Sequence, residues 1–136
     1  DSWDVCDVCC TDLFDRTPHA RAKVEEWSGR PEEFVKRAGF TLIAGLSVHD
    51  KQAADSVFTG WFPLIEREAW DERNFVWKAV NWALRNIGKR NAALNAAALE
   101  AARRVLAQDT RSARWIARDA IRELESESVR RRLGLL

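Results

Sequence analysis

Wound at 100° per residue, the stretch 71–91 separates into two faces. Val76, Ala79, Val80, Ala83, Leu84 and Ile87 share one side, the i, i+3, i+4, i+7 spacing of a buried stripe. Lys78, Trp82, Arg85 and Lys89 fall on the other. The pattern predicts a helix over 72–87 whose polar face carries a tryptophan bracketed by cations, a candidate contact surface. The same period runs through the rest of the chain. Ser2 can cap a helix running to residue 14, ended by Thr17-Pro18. Helices are expected over 19–27, over 31–48 with Pro31 in its first turn, over 92–108 and over 112–124, with a last turn at 128–133. The segment 51–68 contains Gly60 and Pro63 and should be kinked or split. Strand-like alternation is nearly absent, so the fold class is all-α with about seven or eight helices.

The apolar pattern also repeats. Phe34-Val35-Lys36-Arg37-Ala38, Phe75-Val76-Trp77-Lys78-Ala79 and Trp115-Ile116-Ala117-Arg118-Asp119 share the order aromatic, β-branched, any, basic, at spacings of 41 and 40 residues. A period near 40 built from paired helices is the signature of a HEAT-like solenoid, in which the second helix of each pair lines a concave surface. The chain is therefore read as a single HEAT-like repeat domain. It contains no methionine and opens on Asp1, close to a promising motif. On this reading it is a piece of a longer protein whose N-terminal repeats are missing.

Charge changes the picture once it is divided. The net charge of +1 conceals 8 Lys/Arg against 15 Asp/Glu in residues 1–72 and 11 against 3 in residues 73–122. Such asymmetry is the footprint of a basic surface and a polyanionic partner; a fold whose two halves neutralise each other is the competing reading. The repeat gives the cations a shared geometry. Arg37 lies opposite the Val35/Ala38/Leu42/Leu46 stripe, Lys78, Arg85 and Lys89 opposite the next, and Arg111, Arg114, Arg118 and Arg122 opposite Ile116, Ala120 and Leu124. Stacked helices would merge these faces into one cationic groove suited to nucleic acid.

No apolar run approaches the roughly 20 residues of a membrane span, and no signal-peptide pattern is present. A soluble cytosolic protein, of a bacterial cell, is expected. Cys6, Cys9 and Cys10 crowd one region, but no second pair exists and His19 and His49 are distant. Structural zinc wants four ligands, so the cysteines read as small core residues and no metal is expected.

At the N-terminal edge, Trp3 and Asp7 are four apart and share a helix face. A carboxylate beside an indole would repel phosphate, so its natural use is to stabilise a developing cation. Trp-x-x-x-Asp at 3–7, Phe-Val-Lys-Arg-Ala at 34–38 and Lys-Ala-Val-Asn-Trp-Ala-Leu-Arg at 78–85 together resemble the DNA alkylation repair glycosylases of the AlkD type. The resemblance covers nearly all of this chain and the C-terminal part of the family's HEAT-like domain. It implies duplex DNA containing alkylated bases as the partner and cleavage of the N-glycosidic bond of N3- or N7-alkylpurines. It further implies Asp7 as the catalytic carboxylate, Trp3 and Trp82 as indoles lining the cleft around the lesion, and Arg37 as a clamp on the backbone nearby. No cofactor is implied. Asp4 stands where some members carry a second tryptophan.

Each residue has a plainer reading. Trp3 could be a core aromatic, Asp7 could complement a helix dipole, and Arg37 could pair with Glu33 one turn earlier. Trp27, Trp61, Trp70, Trp77 and Trp115 read as packing between helices, and Glu25, Glu26, Glu66 and Glu68 as solvated outer faces. Two functions of other classes compete: a non-catalytic HEAT-like DNA-binding or scaffold module, and a solenoid that binds an acidic protein.

Overall fold

The computed structural model describes residues 19–136. Within them the chain forms α1 (Ala20–Ser28), α2 (Glu33–His49), α3 (Asp55–Thr59), α4 (Phe62–Glu68), α5 (Asn74–Gly88), α6 (Ala92–Leu106), α7 (Arg111–Leu124) and α8 (Glu127–Arg132), with no strand among them. The expected split of 51–68 occurs at Gly60-Trp61, with Pro63 in the first turn of α4 where its missing N–H is no loss. The Asn91 side-chain oxygen accepts from the Leu94 N–H at 2.8 Å and so caps α6. Thr110 and Ser126 cap α7 and α8 in the same way. The helix expected before residue 15 lies outside the described residues.

Two layers result, as in a helical repeat solenoid. Helices α2, α5 and α7 pack side by side, and α1, α4 and α6 back them. The pairing follows from the apolar stripes: Val76, Ala79, Val80, Ala83, Leu84 and Ile87 of α5 are wholly buried, as are Ile116, Ala117, Ala120 and Leu124 of α7. Gly39 allows the closest approach between layers. A Cβ there would sit 2.5 Å from the Ser28 nitrogen, so only glycine lets α2 meet the end of α1.

Successive repeats are tied by side chains reaching backbone carbonyls. Arg37 Nη1 on α2 donates to Phe75 O (2.8 Å), Asn81 on α5 to Ile116 O (3.1 Å), and Asn86 on α5 back to Ala44 O (3.2 Å). Ser112 Oγ donates to Ala69 O at 2.6 Å.

One buried cluster departs from the pattern read in the sequence. Lys36, 3% exposed, donates to Glu68 Oε1 at 2.6 Å and to Asp71 Oδ2 at 2.9 Å. Glu68 is thus not on a solvated outer face: α4 ends there, and the turn at 69–71 folds back onto α2. Burial pushes the Asp71 carboxyl up, but hydrogen bonds from Arg73 and Lys36 outweigh it and hold the group at about 2. Glu66 likewise is half-buried, its carboxylate taken by Arg104 at 2.9 Å.

Candidate nucleic-acid interface

The inner layer determines what the protein presents. The repeat places Phe34, Phe75 and Trp115 at equivalent positions on α2, α5 and α7, and all three stay on the surface at 43%, 38% and 40% exposure. The following β-branched residue turns inward in each case: Val35 is half-buried, Val76 and Ile116 fully buried. The aromatic of each repeat therefore faces outward from the same layer as the basic residue three positions later.

Between these helices lies a cleft of about 580 Å³, lined by Arg37, Phe75, Lys78, Trp82, Arg85 and Trp115, with Asn81, Asp119 and Glu123 at its base and rim. Trp82 is half-buried and lines the cleft. Arg37 reaches across from α2, its guanidinium 5.8 Å from the Phe75 ring centroid while it donates to the Phe75 carbonyl. Trp115 stacks on Trp77 with centroids 5.5 Å apart and planes 22° from parallel, and Arg111 lies 5.9 Å from the Trp77 ring. Trp115 thus packs between α5 and α7, as the sequence suggested, and its open side also forms a wall of the cleft. Trp70, also assigned to packing by the sequence, is 54% exposed beside Lys36. Trp61 is buried, and Trp27 packs half-buried against the core.

The cations of the groove fall into two groups. Lys78 and Arg118 are exposed and have no carboxylate partner among the described residues. Others are occupied. Arg85 donates to Asn81 at 2.7 Å and to Glu123 at 2.8 Å, and Lys89 donates to the second Glu123 oxygen at 2.7 Å. Burial raises the Glu123 carboxyl, and the hydrogen bonds from Lys89 and Arg85 more than reverse this, so it lies below its usual value. Arg114 pairs with Asp109 and Arg122 with Asp119. A basic surface and mutual neutralisation thus coexist on α5 and α7.

Sequence reasoning brought Arg37, Lys78, Trp82 and Arg85 to one place. It missed Trp115, Asn81, Glu123 and Asp119. A signal existed for the last: Asp119 stands where the other repeats carry Ala38 and Ala79. Trp3, Asp7 and the three cysteines lie outside the described residues. Among those described, no group of three or more His, Cys, Asp or Glu is placed to hold a metal ion, and no helix is long and apolar enough to cross a membrane.

Compared with known proteins, residues 1–124 match the family model described as DNA alkylation repair enzyme. Neither a search of curated proteins nor one of solved structures returned a match.

Proposed function

The chain belongs to the family of DNA alkylation repair enzymes, and we propose that it acts as a DNA glycosylase releasing positively charged N3- or N7-alkylpurines from duplex DNA. The observation that carries this reading is the cleft itself. Arg37, Lys78, Trp82 and Trp115, from three inner helices, converge on one open, aromatic and cationic cavity.

The chemistry suits those residue types. An alkylated purine carries a positive charge, so its glycosidic bond is already weakened, and an indole face attracts such a cation by about 0.5–2 kcal/mol. Cleavage builds positive charge on the sugar. Asp7 would stabilise that oxocarbenium-like state and orient the attacking water, with Trp3 beside it. Arg37 would hold a phosphate near the lesion, and Lys78, Arg111 and Arg118 would follow the backbone. Arg85, Lys89, Arg114 and Arg122 belong to the same proposed surface, where DNA phosphates would compete with their present carboxylates.

The test is release of 7-methylguanine or 3-methyladenine from methylated duplex DNA by the intact protein. Asp7→Asn should slow release by about 10²–10³-fold, the scale of removing one transition-state charge contact. Trp82→Ala should slow it by about 2–30-fold, the equivalent of one cation–π contact. An Asp7→Asn variant as fast as wild type refutes the catalytic role. Tight, salt-sensitive DNA binding with no base release would replace the reading by a non-catalytic DNA-binding module.

A further inference from the structure

A second cavity lies beyond the cleft, at the C-terminal ends of α2 and α5. It measures about 540 Å³ and is lined by Lys51, Lys89, Arg90 and Arg132 together with Val48 and Asn86. No carboxylate is among its lining residues. Lys51 and Arg132 are exposed and have no ion-pair partner among the described residues. Three carboxylates of the adjoining segments are already engaged: Asp50 with Arg21 at 2.6 Å, Asp55 with the Asn91 amide at 2.8 Å, and Glu123 with Arg85 and with Lys89, which is the lining cation that is already paired.

Arg90 makes the site suitable for an anion in a less obvious way. The C-terminus of a helix ends in unpaired carbonyls carrying partial negative charge, and two helices end here. Arg90 donates to the carbonyls of Ser47 (3.1 Å), Asp50 (2.7 Å) and Ala53 (3.0 Å) and rests on the Phe58 ring at 4.4 Å. Three acceptors that would repel an anion are thereby consumed by a cation whose charge no carboxylate offsets.

The cavity neighbours the cleft along the end of α5. Arg85 in the last turn of α5 lines the cleft and Lys89, just past the end of that helix, lines the notch, and Glu123 holds both. We propose that this notch is a phosphodiester-binding site, occupied by the DNA backbone on the flank of the duplex beyond the lesion cleft. The proposal rests on the reading of the cleft as a DNA site, and it adds Lys51, Arg90 and Arg132 to the cations that reading uses.

The test is a length series of undamaged duplexes, with binding measured against salt for wild type and for the double variant Lys51→Gln/Arg132→Gln. Both side chains are exposed, so the variant keeps the fold, checked by its helical circular dichroism. Wild type should show a salt slope that steepens once the duplex extends past the cleft. The variant should match wild type on the shortest duplexes and lose nearly two counterions from the slope on the longer ones, about a tenfold affinity difference across a fourfold salt range. Equal slopes at every length, with DNA binding intact, overturn the notch and leave the cleft reading standing. Amide shifts near 48–51 on titration with inorganic phosphate, lost in the variant while the DNA slopes stay equal, make it a site for a small anion and overturn the DNA assignment. No binding to any duplex at low salt overturns both readings.

Discussion

Replacing Lys36 by methionine should remove about 3 kcal/mol of stability at neutral pH. The ammonium is buried between two carboxylates, with side-chain exposures of 4% for Lys36, 9% for Glu68 and 2% for Asp71. Breaking a buried ion pair by removing one partner costs about 3–5 kcal/mol, because the remaining charge is left uncompensated. The lower end applies here. Arg73 still grips both oxygens of Asp71, at 3.0 and 2.7 Å, and Arg67 Nε still donates to Glu68 at 2.6 Å. Methionine matches the stem and suits a helix interior, so packing is preserved.

The pH dependence tests the origin of the loss. Asp71 is held at about 2 against 3.8 unperturbed, which corresponds to about 2 kcal/mol from all its partners together. For a depressed carboxylate this stability is fully present above pH 3.8 and is lost as pH falls through 2. The gap between wild type and Lys36→Met should therefore be widest above pH 5 and close toward pH 2, as protonation of the carboxylates removes the charge that Lys36 neutralises. Urea unfolding followed by helical circular dichroism across that range measures it. A loss below about 1 kcal/mol at pH 7, or a gap that does not change with pH, would refute the reasoning.

Two further outcomes follow from the geometry. Glu123→Gln should free Arg85 and Lys89 for phosphate, so binding of undamaged duplex at low salt should tighten and its salt slope steepen; unchanged affinity would mean that the two cations do not face the DNA. Gly39→Ala should lower stability by about 1–3 kcal/mol, because its Cβ would meet backbone rather than a yielding side chain; a thermal midpoint equal to wild type would refute the close approach of α1 and α2.

The layers of the fold were legible because burial follows a 3.6-residue period that the sequence displays directly. Every apolar position assigned to the core face of α5 is buried, and the break at Gly60–Pro63 fell where backbone chemistry required it. The repeat was visible as well, down to the aromatic position, but the packing read for Trp115 did not disclose that its open side also lines the cleft. Periodicity ranks a tryptophan by its hydrophobicity, whereas the register of the repeat places that side chain on the open inner face. Lys36 drew no reading from the sequence. It lies in line with Phe40 and Ile43, seven residues apart from the latter, and so on a buried stripe. The partners that make burial of its charge tolerable come from residues 68 and 71, more than 30 positions away. Pairings such as Lys89 with Glu123 were hidden for the same reason: helical spacing reports neighbours within one helix, not across two.

The ties between repeats have a consequence for which positions can vary. In several of them the donor is a particular side chain, Arg37, Asn81, Asn86, Arg90 or Ser112, while the acceptor is a main-chain oxygen, at Phe75, Ile116, Ala44, Ser47 or Ala69. A carbonyl is present whatever residue occupies the acceptor position. These ties are therefore asymmetric: one partner is written in the sequence and the other is supplied by the backbone, unlike the ion pairs of Glu123 with Arg85 and Lys89, which need both. A change of residue at an acceptor position leaves the hydrogen bond itself in place, so Ile116, Ala44 and Ala69 answer only to their burial in the core, whereas Arg37 and Asn81, which both line the cleft and tie the repeats, are constrained twice over.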